Sequence, residues 1–290
     1  MRWQERVLEG IEMNCVIDVG GGLRGIYGAG VFDTCLEDGV VFDTCYGVSA
    51  GSANAVSYLA GQKERNYKFY MEYSFRKEYM SWSNFFKNGS YIDLEYIYGA
   101  LSNSWGEYPL DFEAASRSGN KLYVVTANAD TGHPVYFTLD DMKQDDYGAI
   151  KASCCVPFID KPYMIDGVPY FDGGICDPIP IRRALKEGHE KIVLILTKPA
   201  DEYRKPDNDI RIARFMLSKY PNAAKALARR AGYYNRSLEI AKQYAAEGRV
   251  LIVAPSDIGK MKTLTKDPDS LRMMYDEGRQ DGRKIAQFLS

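Results

Sequence analysis

Gly47-Val48-Ser49-Ala50-Gly51 is the stretch that decides how this chain is read. It closes a short apolar run, Thr44 to Val48, with the character of a buried strand, and opens a second, Ala50 to Leu59, with that of a buried helix. A G-x-S-x-G at such a junction is a nucleophile elbow, a tight strand-to-helix turn that holds the serine hydroxyl exposed. Gly47 and Gly51 are expected there because the turn is tight and the helix packs close behind it. The helix N-terminus beside Ser49 favours negative charge nearby, which a tetrahedral intermediate needs. The plainer alternative is an ordinary βα turn in which Ser49 caps the helix.

Upstream, Met13 to Val19 reads as a buried strand and runs into Gly20-Gly21-Gly22-Leu23-Arg24-Gly25. A helical pattern follows from Ile26 to Leu36, stopped by Glu37-Asp38-Gly39. The loop satisfies G-x-G-x-x-G, the dinucleotide fingerprint, and Asp43 supplies an acidic residue roughly 20 positions on. Its physical content is narrower: bare backbone N–H groups aimed at an anion. A bound phosphate and a developing oxyanion both fit. A nucleotide-binding module accounts for the loop but leaves Ser49, between two glycines, without a role.

A serine nucleophile needs a base. Histidine is scarce: His133 sits beside Pro134 in a turn before the strand Val135 to Thr138, and His189 sits in the polar loop Glu187-Gly188-His189-Glu190. Both read as ordinary loop histidines, so a carboxylate comes into consideration. Tyr163 to Gly174 offers two. Asp166-Gly167 lies between two apolar runs, a hairpin signal. Asp172-Gly173-Gly174 ends the second run, so its carboxylate emerges at a strand end, where glycines allow another backbone to approach. Asp166 is therefore assigned to the turn and Asp172 to chemistry.

In that order, the glycine loop Gly20 to Gly25, the elbow Gly47 to Gly51 and Asp172-Gly173-Gly174 resemble the patatin-like phospholipase family, within it a bacterial stand-alone serine esterase. Ala152-Ser153-Cys154-Cys155-Val156-Pro157-Phe158 resembles the family's A-S-x-x-x-P segment. The resemblance runs from Cys15 to about Thr197; beyond Lys198 only the general character matches. It implies a three-layer α/β/α sandwich on a mostly parallel sheet and a Ser49–Asp172 dyad. The glycine loop (Gly20, Gly21, Gly22, Leu23, Arg24, Gly25) is then the oxyanion hole, with donors around Gly21, Gly22 and Leu23 and Arg24 as a brace. It further implies hydrolysis of lipid acyl esters, phospholipase A- or lysophospholipase-like, with no metal and no cofactor. An idle lipid-binding protein of the same fold remains an alternative.

The remaining sequence supplies the frame. The chain has 290 residues, 46% of them apolar, with 37 Lys plus Arg against 39 Asp plus Glu. That composition excludes disorder, and the absence of a basic excess argues against a dedicated nucleic-acid binder. Strand-like Lys121 to Ala127, Lys191 to Thr197 and Arg249 to Ala254 alternate with helical stretches, which predicts a parallel or mixed sheet with helices on both faces. The whole chain is read as one domain, with the motifs in 13–197 and a C-terminal strand and helices in 198–290. Six cysteines without a CxxC pair read as reduced, and the charged start Met1 to Arg6 leads into no signal peptide, which points to a cytoplasmic protein. Arg65 to Trp105 is crowded with aromatics and reads either as helices packed on the sheet or as a greasy cap over a site. Ile210 to Arg249 is basic and helical, a solvated face or, less simply, a membrane-surface contact. Oligomeric state leaves no trace in the sequence.

Overall fold

The computed structural model describes residues 13–290; the charged start Met1 to Arg6 lies outside them. Eight strands form one sheet: β1 (Asn14–Asp18), β2 (Thr44–Val48), β3 (Lys121–Asn128), β4 (Pro134–Phe137), β5 (Tyr163–Ile165), β6 (Val168–Asp172), β7 (Lys191–Ile195) and β8 (Val250–Val253). Their order is β5-β6-β3-β2-β1-β7-β8, with β4 paired to β3. β1, β2, β3, β7 and β8 run parallel, while β4, β5 and β6 pair antiparallel.

Strand residues alternate between two cores, as the two-residue period of a strand requires. Val16, Val193 and Ile195 belong to one; Cys15, Ile17, Ile192 and Leu194 belong to the other. Over the first face lie α1 (Ile26–Glu37) and α2 (Ala50–Leu59), which contribute Val31, Phe32, Ala55 and Val56. Eleven α-helices are described in all. The next six are α3 (Arg65–Met71), α4 (Trp82–Asn88), α5 (Phe112–Arg117), α6 (Gly148–Ser153), α7 (Ile181–Lys186) and α8 (Asp207–Met216). They are followed by α9 (Pro221–Ala246), α10 (Pro268–Gly282) and α11 (Lys284–Leu289). The opposite face is covered by α7 and α9 through Ile181, Ala184, Leu238 and Ala241. The result is the three-layer α/β/α sandwich, with a mostly parallel sheet between helices.

The C-terminal residues join this frame at two places. β8 extends the sheet beside β7, and α10 packs along α1, where Tyr275 donates to Asp33 (2.7 Å) and Tyr27 to Asp281 (2.8 Å). Asp166 and Gly167 both have positive φ (48° and 78°), the primed turn expected between β5 and β6. The aromatic stretch is neither of two neat helices on the sheet. α3 and α4 are short, a 3-10 turn (Tyr73–Phe75) and one π-helical segment (Tyr96–Ala100) interrupt the turns between and after them, and residues from Arg65 to Tyr98 wrap around a cavity beside Ser49.

Candidate active site

Ser49 follows β2 and precedes α2 with φ 56° and ψ −132°, a conformation that costs a non-glycine residue about 1–3 kcal/mol. Three contacts hold it. Its N–H donates to Ser153 Oγ (2.9 Å), Ser153 donates onward to the Val125 carbonyl (2.7 Å), and Ser52 Oγ donates to the Ser49 carbonyl (2.6 Å). The hydroxyl of Ser49 makes no helix-capping bond. That removes the plain-turn reading, in which capping was its purpose. Gly51 must be glycine because a Cβ there would stand 2.2 Å from the Asp18 carbonyl; Gly47 faces the same crowding from Ser52.

β3 brings the partner into place. Its Val125 pairs with Val48, the residue before Ser49, and its next residue, Thr126, pairs with Asp172 at the end of β6. Ser49 and Asp172 thus arrive at one level from distant parts of the chain. Both are largely buried. Burial raises the Asp172 pKa above the ordinary carboxylate value; the Ser49 hydroxyl, the Gly174 N–H (2.7 Å) and the charges of Arg230 and Arg204 partly offset that rise. Gly173 packs against the Val125 carbonyl, so the two glycines after Asp172 have separate duties: close approach and orientation of the carboxylate. The nearby Asp160 is pushed up to about 7, chiefly by burial, against backbone donors from Ile92, Val156 and Tyr91.

The glycine loop lines the same cavity as Ser49. Gly20, Gly21 and Gly22 have φ 61°, 126° and 60°. The geometry corrects the sequence expectation for the donors. The Leu23 N–H is taken by the Thr263 carbonyl (2.8 Å) and the Gly20 N–H by Asp18 (2.9 Å), so neither is available to an oxyanion. Leu23 instead contributes its side chain to an apolar pocket. Gly25 lies at the start of α1, where its carbonyl accepts from Asn54 (2.8 Å). The side chain of Arg24 lies over Gly21, 3.3 Å from where a Cβ would stand. Asp18, whose pKa burial raises to about 6 against hydrogen bonds from Asn54 and Gly20, anchors the loop from beneath.

Two pockets meet at Ser49. One is apolar and walled by Leu23, Phe69, Tyr70, Tyr79, Ile97 and Tyr98, so part of the aromatic stretch lines the site. The other is polar and contains Asp172, Arg24, Lys198, Arg204 and Arg230. Asp43, the acidic residue a dinucleotide site would need, precedes β2 and bonds Asn14 N–H (2.9 Å) at the opposite edge of the sheet from the glycine loop. His189 lies in the loop between α7 and β7, but it is buried against Tyr46 (ring centroids 5.9 Å apart), again at that opposite edge. His133 is exposed in its turn. Among the described residues, no group of three or more His, Cys, Asp or Glu side chains is arranged to hold a metal ion.

Sequence reasoning missed Ser153, Thr263 and the Arg204–Asp209–Arg230 group. Ser153 stood in the quoted A-S-x-x-x-P segment without a role. For Thr263, whose carbonyl seats the glycine loop, no local signal existed.

An α/β sandwich carrying a strained serine at a strand-to-helix elbow, beside a carboxylate and a glycine loop, defines the acyl-hydrolase type of site. The particular family follows from comparison. A family model described as patatin-like phospholipase matches residues 19–185, and the chain belongs to that family of lipid acyl hydrolases. A second model, a domain of unknown function (DUF6363), matches residues 220–289. The chain is similar to the uncharacterized protein YjjU of Escherichia coli (strain K12), 32% identical over 202 residues, 68% of this chain and 55% of that protein. It thus spans about half the length of that relative. Among solved structures, VipD from Legionella pneumophila aligns with 96% of this chain and 66% of its own, at TM-score 0.49 and 15% identity. No helix among the described residues is long and apolar enough to cross a membrane.

Proposed function

We propose that this chain is a serine-dependent hydrolase of lipid carboxylic esters, working through Ser49 and Asp172 without metal or cofactor. Asp172 accepts the serine proton as Ser49 attacks the acyl carbonyl, and returns it to the leaving alcohol. In the second half it activates the water that releases the acid. A carboxylate is a weak base for a serine hydroxyl, so stabilisation of the developing oxyanion carries much of the barrier reduction. With Gly20 and Leu23 N–H engaged elsewhere, the N–H groups of Gly21 and Gly22 take that role, aided by the N-terminus of α2.

The observation that carries the reading is Ser49 itself: strained, uninvolved in capping, and lining one cavity with Asp172 and the glycine loop. The apolar pocket takes the acyl chain. Exposed Trp82, Phe86, Phe158 and Phe215 give the surface aromatic side chains suited to a lipid interface, consistent with a cytoplasmic protein that meets membranes peripherally. We read the described chain as one folding unit, since β8 and α10 complete the sheet and its helical cover. The test is labelling with a fluorophosphonate and mapping of the adduct. Modification at Ser49, lost in Ser49→Ala, is the expected result. A folded protein that is not labelled and hydrolyses no acyl ester would overturn the reading.

A further inference from the structure

The polar pocket beside the dyad contains more positive charge than the chemistry needs. Asp209, almost fully buried, is gripped from both sides. Arg204 donates Nε and Nη2 to its two oxygens (2.9 and 2.9 Å), and Arg230 does the same (3.1 and 2.5 Å). One arginine would satisfy one carboxylate. Two around a single anion leave a net positive charge and leave the Nη1 edge of each guanidinium outside the Asp209 contacts. Arg204 is further fixed through its backbone, whose N–H and carbonyl bond the Asn235 side chain (2.8 and 3.1 Å). The third guanidinium, Arg24, is about nine-tenths buried, lines the same cavity, and its Nε has no hydrogen-bond partner. Burial and the neighbouring charge of Arg204 both lower its pKa. Acidic groups are present too: Lys198 pairs Glu202 (2.7 Å), and Asp172 serves the dyad. Clustered, partly desolvated guanidinium groups repel one another unless an anion joins them.

We infer that Arg24, Arg204 and Arg230 form the seat for a phosphate on the substrate's head group, which selects an acylated glycerol 3-phosphate over its uncharged counterpart. The acyl chain enters the apolar pocket, the ester lies over Ser49, and the phosphate falls among the arginines. Planar, always-charged guanidinium groups suit phosphate oxygens through paired charge-assisted hydrogen bonds. The inference rests on the hydrolase reading for the identity of the lipid. Arg204 and Arg230 lie outside the patatin-like match at residues 19–185, so the region after it contributes a specificity element to the site.

Ether-linked probes test the seat without any turnover, because an ether cannot be hydrolysed. Binding of 1-O-alkyl glycerol 3-phosphate and of the uncharged 1-O-alkyl glycerol with the same chain is measured by calorimetry. Wild type is expected to prefer the phosphate-bearing ether by about tenfold or more, roughly 1.4 kcal/mol. Arg204→Gln and Arg230→Gln, each leaving Asp209 one arginine, should cut the preference to about threefold or less, with Arg230→Lys recovering part of it. Inorganic phosphate should compete with the phosphate ether and leave the uncharged one bound. Equal affinity of wild type for the two ethers would overturn the inference, and so would a preference that survives both glutamine variants. Inorganic phosphate binding as tightly as the phosphate ether would assign the seat to the free anion and also overturn it. The wild-type comparison decides even if a variant fails to fold. Failure here leaves esterase activity at Ser49 standing, and failure of that activity leaves the binding preference intact.

Discussion

The two walls of the cleft at Ser49 differ in charge and are drawn largely from different parts of the chain. The apolar wall is drawn mainly from residues 65–98 and encloses a cavity of only about 60 Å³; the polar wall adds residues 198–234 and opens to about 290 Å³. A narrow apolar slot and a roomier cationic chamber sharing one nucleophile match an amphiphile, not a small soluble ester. The difference also separates two kinds of energy. Apolar burial grows with contact area and discriminates weakly per methylene, whereas fixed guanidinium groups discriminate by charge. Chain length and head group should therefore respond to different substitutions.

The largest expected effect removes what the walls share. Ser49→Ala and Asp172→Asn should each lower kcat on short-chain p-nitrophenyl esters by roughly 10⁴ or more, the scale seen when a nucleophile or its base is lost. Circular dichroism should match the parent. The double variant His133→Ala, His189→Ala should keep most activity, since His189 is buried at the far end of the strands, His133 is exposed in its turn, and neither lines the pockets at Ser49. A dead but folded double-histidine protein would move the base from Asp172 to a histidine.

Next in size is the loop that both walls border. A Cβ on Gly22 would stand 2.4 Å from the Thr263 carbonyl, with φ 60° already unfavourable to other residues. Gly22→Ala should displace the loop and its donors, lowering kcat by about 10²–10³ with a smaller change in KM. A Gly22→Ala protein with parental kcat would place the oxyanion donors elsewhere.

A smaller effect isolates the apolar wall. Ala53, on α2, is half-buried and lines only the apolar pocket. Ala53→Leu should fill part of the slot and lower the ratio of long-chain to acetyl ester turnover by about tenfold. It should leave the phosphate preference unchanged. A shift in head-group preference instead would mean that the two walls are not independent.

The two walls were also unequally legible. The glycine loop, elbow and Asp172 announce themselves because tight turns and close approaches admit few residue types, so a local pattern carries the geometry. The aromatic stretch gave its composition but not its placement, since one set of apolar residues can pack on a sheet or line a slot. Least legible was the cationic wall. In the basic run from Ile210 to Arg249, Arg211, Arg214, Lys219, Lys225, Arg229 and Arg236 are exposed, as a solvated face predicts. Arg230, within the same run, turns inward. What distinguishes it is a contact with Asp209, 21 positions earlier in the chain, on another helix. Leu23 failed for a similar reason: its N–H was assigned to the oxyanion, but the Thr263 carbonyl, 240 residues away, occupies it.

The smallest expected effect tests whether the cationic wall also tunes the dyad. Asp172 must be ionised to act as base, so kcat/KM should rise with pH through its pKa. That limb should lie above the usual carboxylate range because burial raises the value. Arg230 and Arg204 pull it back down by favouring the charged form. Arg230→Gln removes one of those charges, so the acid limb should move to higher pH; Arg230→Lys keeps the charge and should leave it nearly in place. An uncharged ester is the substrate for this measurement, so that loss of phosphate binding does not enter. Asp160, pushed up to about 7 chiefly by burial and raised further by the charge of Asp172, is a second carboxylate whose ionisation can enter the profile. Repeating the series in an Asp160→Asn background removes that second carboxylate, and the Arg230→Gln displacement should persist there. If the limb moves to lower pH, or does not move in either background, the arginines act on the head group alone and the two walls meet at Ser49 without electrostatic coupling.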